Sequence, residues 1–107
     1  MRIRRDKYEI QDDEIELIAS VSDALAHPLR VKIVRHIMNC NKERVDVCTK
    51  DLVAEFGYAQ ATISQHMKRL VQSGLIEVRK KEKFNYYYVN VGLLFRYVDI
   101  AKKFTIG

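Results

Sequence analysis

Gln60, Thr62, Ser64, Gln65, Lys68 and Arg69 stand close together in the chain, and their side chains share one kind of chemistry. Glutamine presents an amide donor and acceptor side by side, serine and threonine offer hydroxyls, and lysine and arginine carry positive charge. Such groups can pair with base edges in a DNA major groove and neutralise phosphates. Interleaved with them are Ile63, Met67, Leu70 and Val71, at the i, i+4, i+7, i+8 spacing of a helix with one buried stripe. A plain solvated surface helix shows the same pattern. The surrounding elements must decide between the two.

Gly57 and Gly74 bracket this helix, and each suits the left-handed conformation that ends a helix. Before it, Thr49 is expected to cap a short helix through Leu52, Val53 and Phe56 that stops at Gly57. Two short helices joined by a glycine-containing turn make a helix-turn-helix unit. After Gly74 the apolar period changes to two. Leu75–Arg79 and Phe84–Val89 read as strands, with a basic tip at Lys80-Lys81-Glu82-Lys83. This hairpin is a charged wing carrying Arg79, Lys81 and Lys83.

Further out, His27-Pro28 marks a boundary, because proline favours the first helical position and pushes its predecessor out of helical geometry. The helix from Pro28 to about Asn39 turns Leu29, Ile33 and Ile37 inward, flanked by Val34 and Met38. Ahead of it, a helix from Asp12 to about Ala26 aligns Ile15, Ile18, Val21, Ala24 and Leu25, with Asp12, Asp13 and Glu14 complementing its dipole. Asn41–Asp46 reads as a connection, with Val45 and Val47 as a short strand. Asn90 caps a last helix with an apolar stripe of Leu94, Tyr97, Val98, Ala101 and Phe104. The expected fold is mainly α with a β wing, a winged helix-turn-helix in the order α-α-α-α-β-β-α. Residues 1–11 form a basic arm, and 12–107 form the DNA-binding and dimerisation domain. The terminal helices carry apolar stripes that a small core cannot cover, so a two-fold homodimer is expected to bury them.

A chain of 107 residues fits one domain, and 48% hydrophobic residues support a modest core. The net charge of +5 and pI near 9.3 favour a polyanionic partner. Basic residues cluster at Arg2, Arg4, Arg5 and Lys7, at Lys68 and Arg69, and at Arg79, Lys80, Lys81 and Lys83, apart from the acidic run at Asp12, Asp13, Glu14 and Glu16. Apolar runs are too short to span a bilayer, and the N-terminal residues lead into Asp6 without an apolar signal region. No membrane association and a cytoplasmic location are therefore expected, with Cys40 and Cys48 reduced.

The sequence resembles the ArsR/SmtB group of small dimeric bacterial repressors over roughly residues 12 to 104. Three stretches carry the resemblance: Ala24-Leu25-Ala26-His27-Pro28-Leu29-Arg30, then Gln60 to Leu70 followed by Ser73-Gly74-Leu75-Ile76, then Arg79 and Lys80 before Tyr86-Tyr87-Tyr88. The resemblance implies that Gln60, Thr62, Ser64, Gln65 and Lys68 lie along the major groove, with Arg79, Lys81 and Lys83 beside the backbone. His66 matches a histidine of the group and is read as support beneath the groove. Ala59 departs from the group's usual capping serine. A dimer would set two such helices about 34–36 Å apart on an imperfect palindrome.

Many relatives in that group sense metal, and their ligand patterns are incomplete here. Cys48 matches the first position of a Cys-x-Cys pattern, but Lys50 replaces the second. The other pattern needs Asp-x-His in the last helix, where Asp99 is followed by Ile100 and Ala101. His36 and Cys40 share a helix face and, with Cys48, leave three readings open. The cysteines are incidental, or Lys50 lowers the pKa of Cys48 in a redox switch, or a thiol-ligated ion such as zinc is bound with a donor the sequence does not identify. No cofactor is assigned and the inducer is left unnamed.

The function expected is a sequence-specific, double-stranded-DNA-binding regulator, a dimeric repressor using helix 60–72 and the wing at 79–86 on its operator. The alternative is a winged-helix protein-interaction module. An enzyme is the least expected class, because three histidines and the carboxylates show no triad spacing, phosphate-cradling loop or closed metal set.

Overall fold

The computed structural model describes residues 9–105, so Arg2, Arg4, Arg5 and Lys7 of the expected arm lie outside the described residues. The elements follow the expected order: α1 Asp12–Ala24, α2 Pro28–Lys42, α3 Thr49–Phe56, α4 Gln60–Gln72, β1 Ile76–Lys81, β2 Phe84–Val89 and α5 Val91–Lys102. Ile33 and Ile37 of α2, Leu52 of α3, Ile63 and Leu70 of α4 and Leu75 before β1 meet in one fully buried core. No helix among the described residues is long and apolar enough to cross a membrane.

Local chemistry explains where each helix starts and stops. The Gln11 backbone N–H donates to Glu14 Oε1 at 3.0 Å, opening α1. His27 Nδ1 accepts from the Leu29 N–H at 3.2 Å, with Pro28 in the first turn of α2. α1 ends two residues earlier than Ala26, and α2 runs a turn beyond Asn39. That extra turn serves the hairpin. Asn41 Nδ2 donates to the Tyr87 carbonyl at 3.3 Å, and Asn41 Oδ1 accepts from the Val89 N–H at 3.0 Å.

The Val45–Val47 segment does not become a strand. Val47 is buried and its carbonyl accepts from the Tyr87 N–H at 2.9 Å, but Val45 faces solvent. The cap of α3 is Cys48, whose N–H donates to Asp51 Oδ2 at 2.9 Å. Thr49, expected as the cap, instead shares a hydrogen bond with the Tyr87 hydroxyl at 2.8 Å. Gly57 ends α3 at φ +74°, a conformation that disfavours a side chain. α4 starts after Ala59 without a side-chain cap. At its other end Ser73 Oγ donates to the Leu70 carbonyl at 2.7 Å and accepts from the Leu75 N–H at 3.1 Å, joining helix to hairpin.

The hairpin is antiparallel, in register from Ile76 opposite Val89 to Lys81 opposite Phe84. Its turn is therefore only Glu82 and Lys83, shorter than the four-residue tip expected, with Glu82 at φ +57°. α5 packs against α1. Lys103 Nζ lies 2.9 Å from both Glu14 carboxylate oxygens and donates to the Glu9 carbonyl at 3.2 Å. Tyr97 and Ser22 hydroxyls share a 2.9 Å hydrogen bond. The inward residue of this helix is Ile100, not named from sequence. Val98 and Phe104 of the expected stripe are 43% and 62% exposed, beside Phe95 at 66%. α1 covers α5 on one side only, so the helix has a second apolar face.

The N–H of Gln11, then Lys103, hold the Glu14 carboxyl below its ordinary value of 4.5. A carboxyl whose pKa is lower folded than unfolded contributes stability that is full above pH 4.5 and lost as pH falls through the folded value. The urea midpoint of Glu14→Gln should therefore fall less than the parent's between about pH 5 and pH 3. Parallel profiles for the two proteins would contradict this strap.

Candidate nucleic-acid interface

α4 sits on the core through Ile63, Met67 and Leu70, which turns the intervening residues outward. Gln60, Gln65, Lys68 and Arg69 are exposed, whereas Thr62 and Ser64 are half-buried at the edges of that face. Gln60 Nε2 lies 3.5 Å from Ser64 Oγ, one turn along, and donates to it. Four of the six residues singled out on this helix thus face solvent fully, and two partly.

A shallow cleft borders each end of the helix. One, of about 300 Å³, is lined by Thr49, Lys50, Gln60, Lys83 and Asn85 and brings the start of α4 next to the hairpin turn. The other, of about 490 Å³, is lined by Arg30, Gln65, His66, Lys68, Arg69 and Gln72. Lys50, Asn85, Arg30 and Gln72 were not among the site residues expected from sequence. Arg30 carried a signal, since it follows Pro28 by two and so occupies the first turn of α2. For Asn85 no local signal exists, because its place depends on the hairpin register.

Between α2 and α4 the rings of His27 and His66 lie 4.7 Å apart, tilted by 54°. Burial, with smaller effects from His27 and Arg30, lowers the His66 pKa below its ordinary 6.5. His66 is half-buried behind the outward face of α4.

The wing cations are arranged over tyrosine rings. Arg79 Cζ lies 4.2 Å from the Tyr88 ring centre, and Lys81 Nζ lies 5.6 Å from that of Tyr86. Arg79 also approaches Glu77 at 4.0 Å, and Lys81 approaches Asp46 at 3.6 Å. Arg69 reaches away from the wing to Asp23 of α1, at 3.6 Å. These pairs are at least half exposed, so each is worth only about 0–1 kcal/mol and leaves its cation free to exchange partners.

Of the three residues read as a possible thiol or metal site, His36 and Cys40 come together and Cys48 lines a different cleft. His36 Nε2 and Cys40 Sγ lie 3.6 Å apart, in a cleft that also holds Asp46, Asp51 and Glu55. Cys48 lies in the cleft beside Lys50 and Lys83, and its thiol donates to Asp51 Oδ2 at 3.3 Å. Among the described residues no three His, Cys, Asp or Glu side chains are grouped to hold a metal. Burial, then Glu43, Glu55 and Asp51, push the Cys40 thiol above its ordinary 9.0.

The helix-turn-helix domain family matches residues 25–79. A relative described as a putative arsenical resistance operon repressor, from Halobacterium salinarum, is 31% identical over 73% of this chain. The chain spans 63% of that relative's length. Among solved structures, an ArsR-like transcriptional regulator from Rhodococcus sp. RHA1 is similar over 87% of this chain and 83% of its own, with a TM-score of 0.74 at 20% identity. The homodimeric winged helix-turn-helix DNA-binding domain of a possible ArsR-family regulator from Mycobacterium bovis covers 100% of this chain and 94% of its own, with a TM-score of 0.66 at 21% identity.

In a Cys48→Ser protein the remaining thiol, Cys40, should react with an aromatic disulfide reagent at about pH 8 several-fold more slowly than free cysteine, because less of it is thiolate. Absorbance of the released thiolate follows the reaction. A rate above that of free cysteine would favour Cys40 as a redox sensor.

Proposed function

We propose, from the premise that the chain belongs to the ArsR-type winged helix-turn-helix family of transcriptional regulators, that it is a cytoplasmic, dimeric repressor binding an imperfect palindrome in duplex DNA. That family and fold are those of a transcriptional regulator, not of an enzyme. The observation that carries the reading is the outward face of α4, where exposed Gln60, Gln65, Lys68 and Arg69 line two clefts that also hold Lys50, Lys83 and Arg30.

On this reading Gln60 and Gln65 address base edges, with Thr62 and Ser64 contributing from the flanks of the helix. Lys68, Arg69, Arg79, Lys81 and Lys83 address phosphates, joined by Lys50 and Arg30 from the clefts. The second apolar face of α5, with Val91, Phe95 and Val98 exposed, supports pairing with a second copy. The Mycobacterium bovis domain of the same fold is itself homodimeric. Repression follows from occupying the operator.

Fluorescence anisotropy on a labelled duplex from the protein's own promoter region tests this. Lys68→Gln should weaken binding to all sequences alike and reduce the slope of log affinity against log salt by about one. Gln65→Ala should change base preference, by about 1–3 kcal/mol at one position. No binding at low salt would overturn the reading. The double change Phe95→Glu and Val98→Glu should give a monomer by sedimentation with much weaker operator binding, and an intact dimer would remove α5 from the interface.

A further inference from the structure

A cavity of about 380 Å³ lies between the last turn of α2, the base of the hairpin and the first turns of α5. Its apolar walls come from Met38, Val89, Leu94 and Phe95, and its charged lining residues are Lys42 and Arg79. Among the described residues no aspartate or glutamate lines it. Asn41 also faces it, but the Asn41 amide is already committed to Tyr87 and Val89, so this residue is a fixed wall. The volume falls within the ~300–1,000 Å³ usual for small-molecule sites.

We infer that this cavity binds a small apolar carboxylate, its tail among Met38, Val89, Leu94 and Phe95 and its anionic head between Lys42 and Arg79. The apolar walls favour removing a hydrocarbon tail from water. The two cations, with no acid in the lining and only the exposed Glu77 near Arg79 at 4.0 Å, select an anionic head, and arginine can grip a carboxylate with two parallel hydrogen bonds.

Arg79 connects this site to the DNA reading, and the regulatory part of the inference rests on that reading. Arg79 is held over the Tyr88 ring at 4.2 Å and lies 4.0 Å from Glu77, both weak exposed contacts. A bound carboxylate draws the guanidinium into the cavity and away from the phosphate it would otherwise meet. Ligand and operator then oppose each other, each lowering the other's affinity by the same factor.

The test uses the full chain, with octanoate as probe and 1-octanol as its uncharged counterpart. Amide NMR without DNA should show saturable shifts at Val89, Leu94 and Phe95 with octanoate, and at least tenfold weaker binding of octanol. Leu94→Trp, which fills the cavity, should abolish the shifts. Lys42→Gln should weaken octanoate several-fold while leaving operator affinity without octanoate unchanged. Saturating octanoate should weaken operator binding several-fold in the parent. The site is overturned if these amides ignore octanoate, or if octanol binds equally well. It is also overturned if they shift only as a dimer dissociates on dilution, which would make a second copy the occupant. Operator affinity that is unmoved with the cavity filled overturns the coupling through Arg79. A protein that takes octanoate but binds no operator fragment refutes the DNA reading and supports the ligand site.

Discussion

Ile63, Met67 and Leu70 are 0%, 2% and 0% exposed, and their burial fixes which way every other side chain of α4 points. Burying such residues is worth about 1.5–3 kcal/mol each. The N-terminal cap that Ala59 cannot provide is worth about 1 kcal/mol. Packing therefore outweighs the missing cap, and α4 is held by its underside more than by its end. This leaves Gln60 and Ala61 at the start of the helix exposed to solvent. A helix anchored in this way can vary its outer residues with little penalty to the fold, as a reading surface requires.

The hairpin has the opposite problem, because two strands alone are at best marginally stable in water. Its inner face supplies Ile76, Tyr87 and Val89 to the core, and its base is tied on both sides. Asn41 and the Val47 carbonyl hold the outer edge of β2, while the Asn90 N–H donates to the Leu75 carbonyl at 2.8 Å and closes the base. At about 1 kcal/mol for each hydrogen bond these ties are comparable to a small hydrophobic contact, and they also set the register. The outer face can then carry Arg79 and Lys81 over Tyr88 and Tyr86. Exposed cation–π contacts are worth about 0.5–1 kcal/mol, enough to extend a cation but too little to commit it.

Much of this was legible in the sequence, because the helices and strands announce themselves by period. Pro28, Gly57, Gly74 and Asn90 mark boundaries by backbone chemistry, and each stands where its chemistry demands. The misreadings have a common cause. Thr49 is a good cap by type, but Asp51 serves Cys48 and leaves the threonine hydroxyl to Tyr87. Asn41 looked like loop because its use lies 46 and 48 residues away on β2. Val98 and Phe104 fit a helical stripe, yet the period cannot say which of two apolar stripes meets α1. The face of α4 could be read from local order alone. The clefts beside it, the His27–His66 contact and the Arg69–Asp23 pair needed the tertiary fold.

The α1–α5 layer shows how one helix can serve two surfaces. Lys103 and Glu14 are 22% and 15% exposed, so their pair is sheltered and accompanied by bonds to the Glu9 carbonyl and the Gln11 N–H. Arg96 and Asp13 form a comparable pair at 3.3 Å, but at 54% and 73% exposure solvent largely screens it. The sheltered pair lies at the end of α5 and fixes its position against α1. The remaining apolar face, with Val91, Phe95 and Val98, is thereby presented as a rigid surface. In the proposed dimer that rigidity has a consequence for DNA. The spacing between two copies of α4 is set by the α5 contact and carried through a packed core, with no flexible joint needed between them. Phe95 belongs both to this surface and to the cavity beneath the wing, so a ligand there would act where dimer geometry and Arg79 meet.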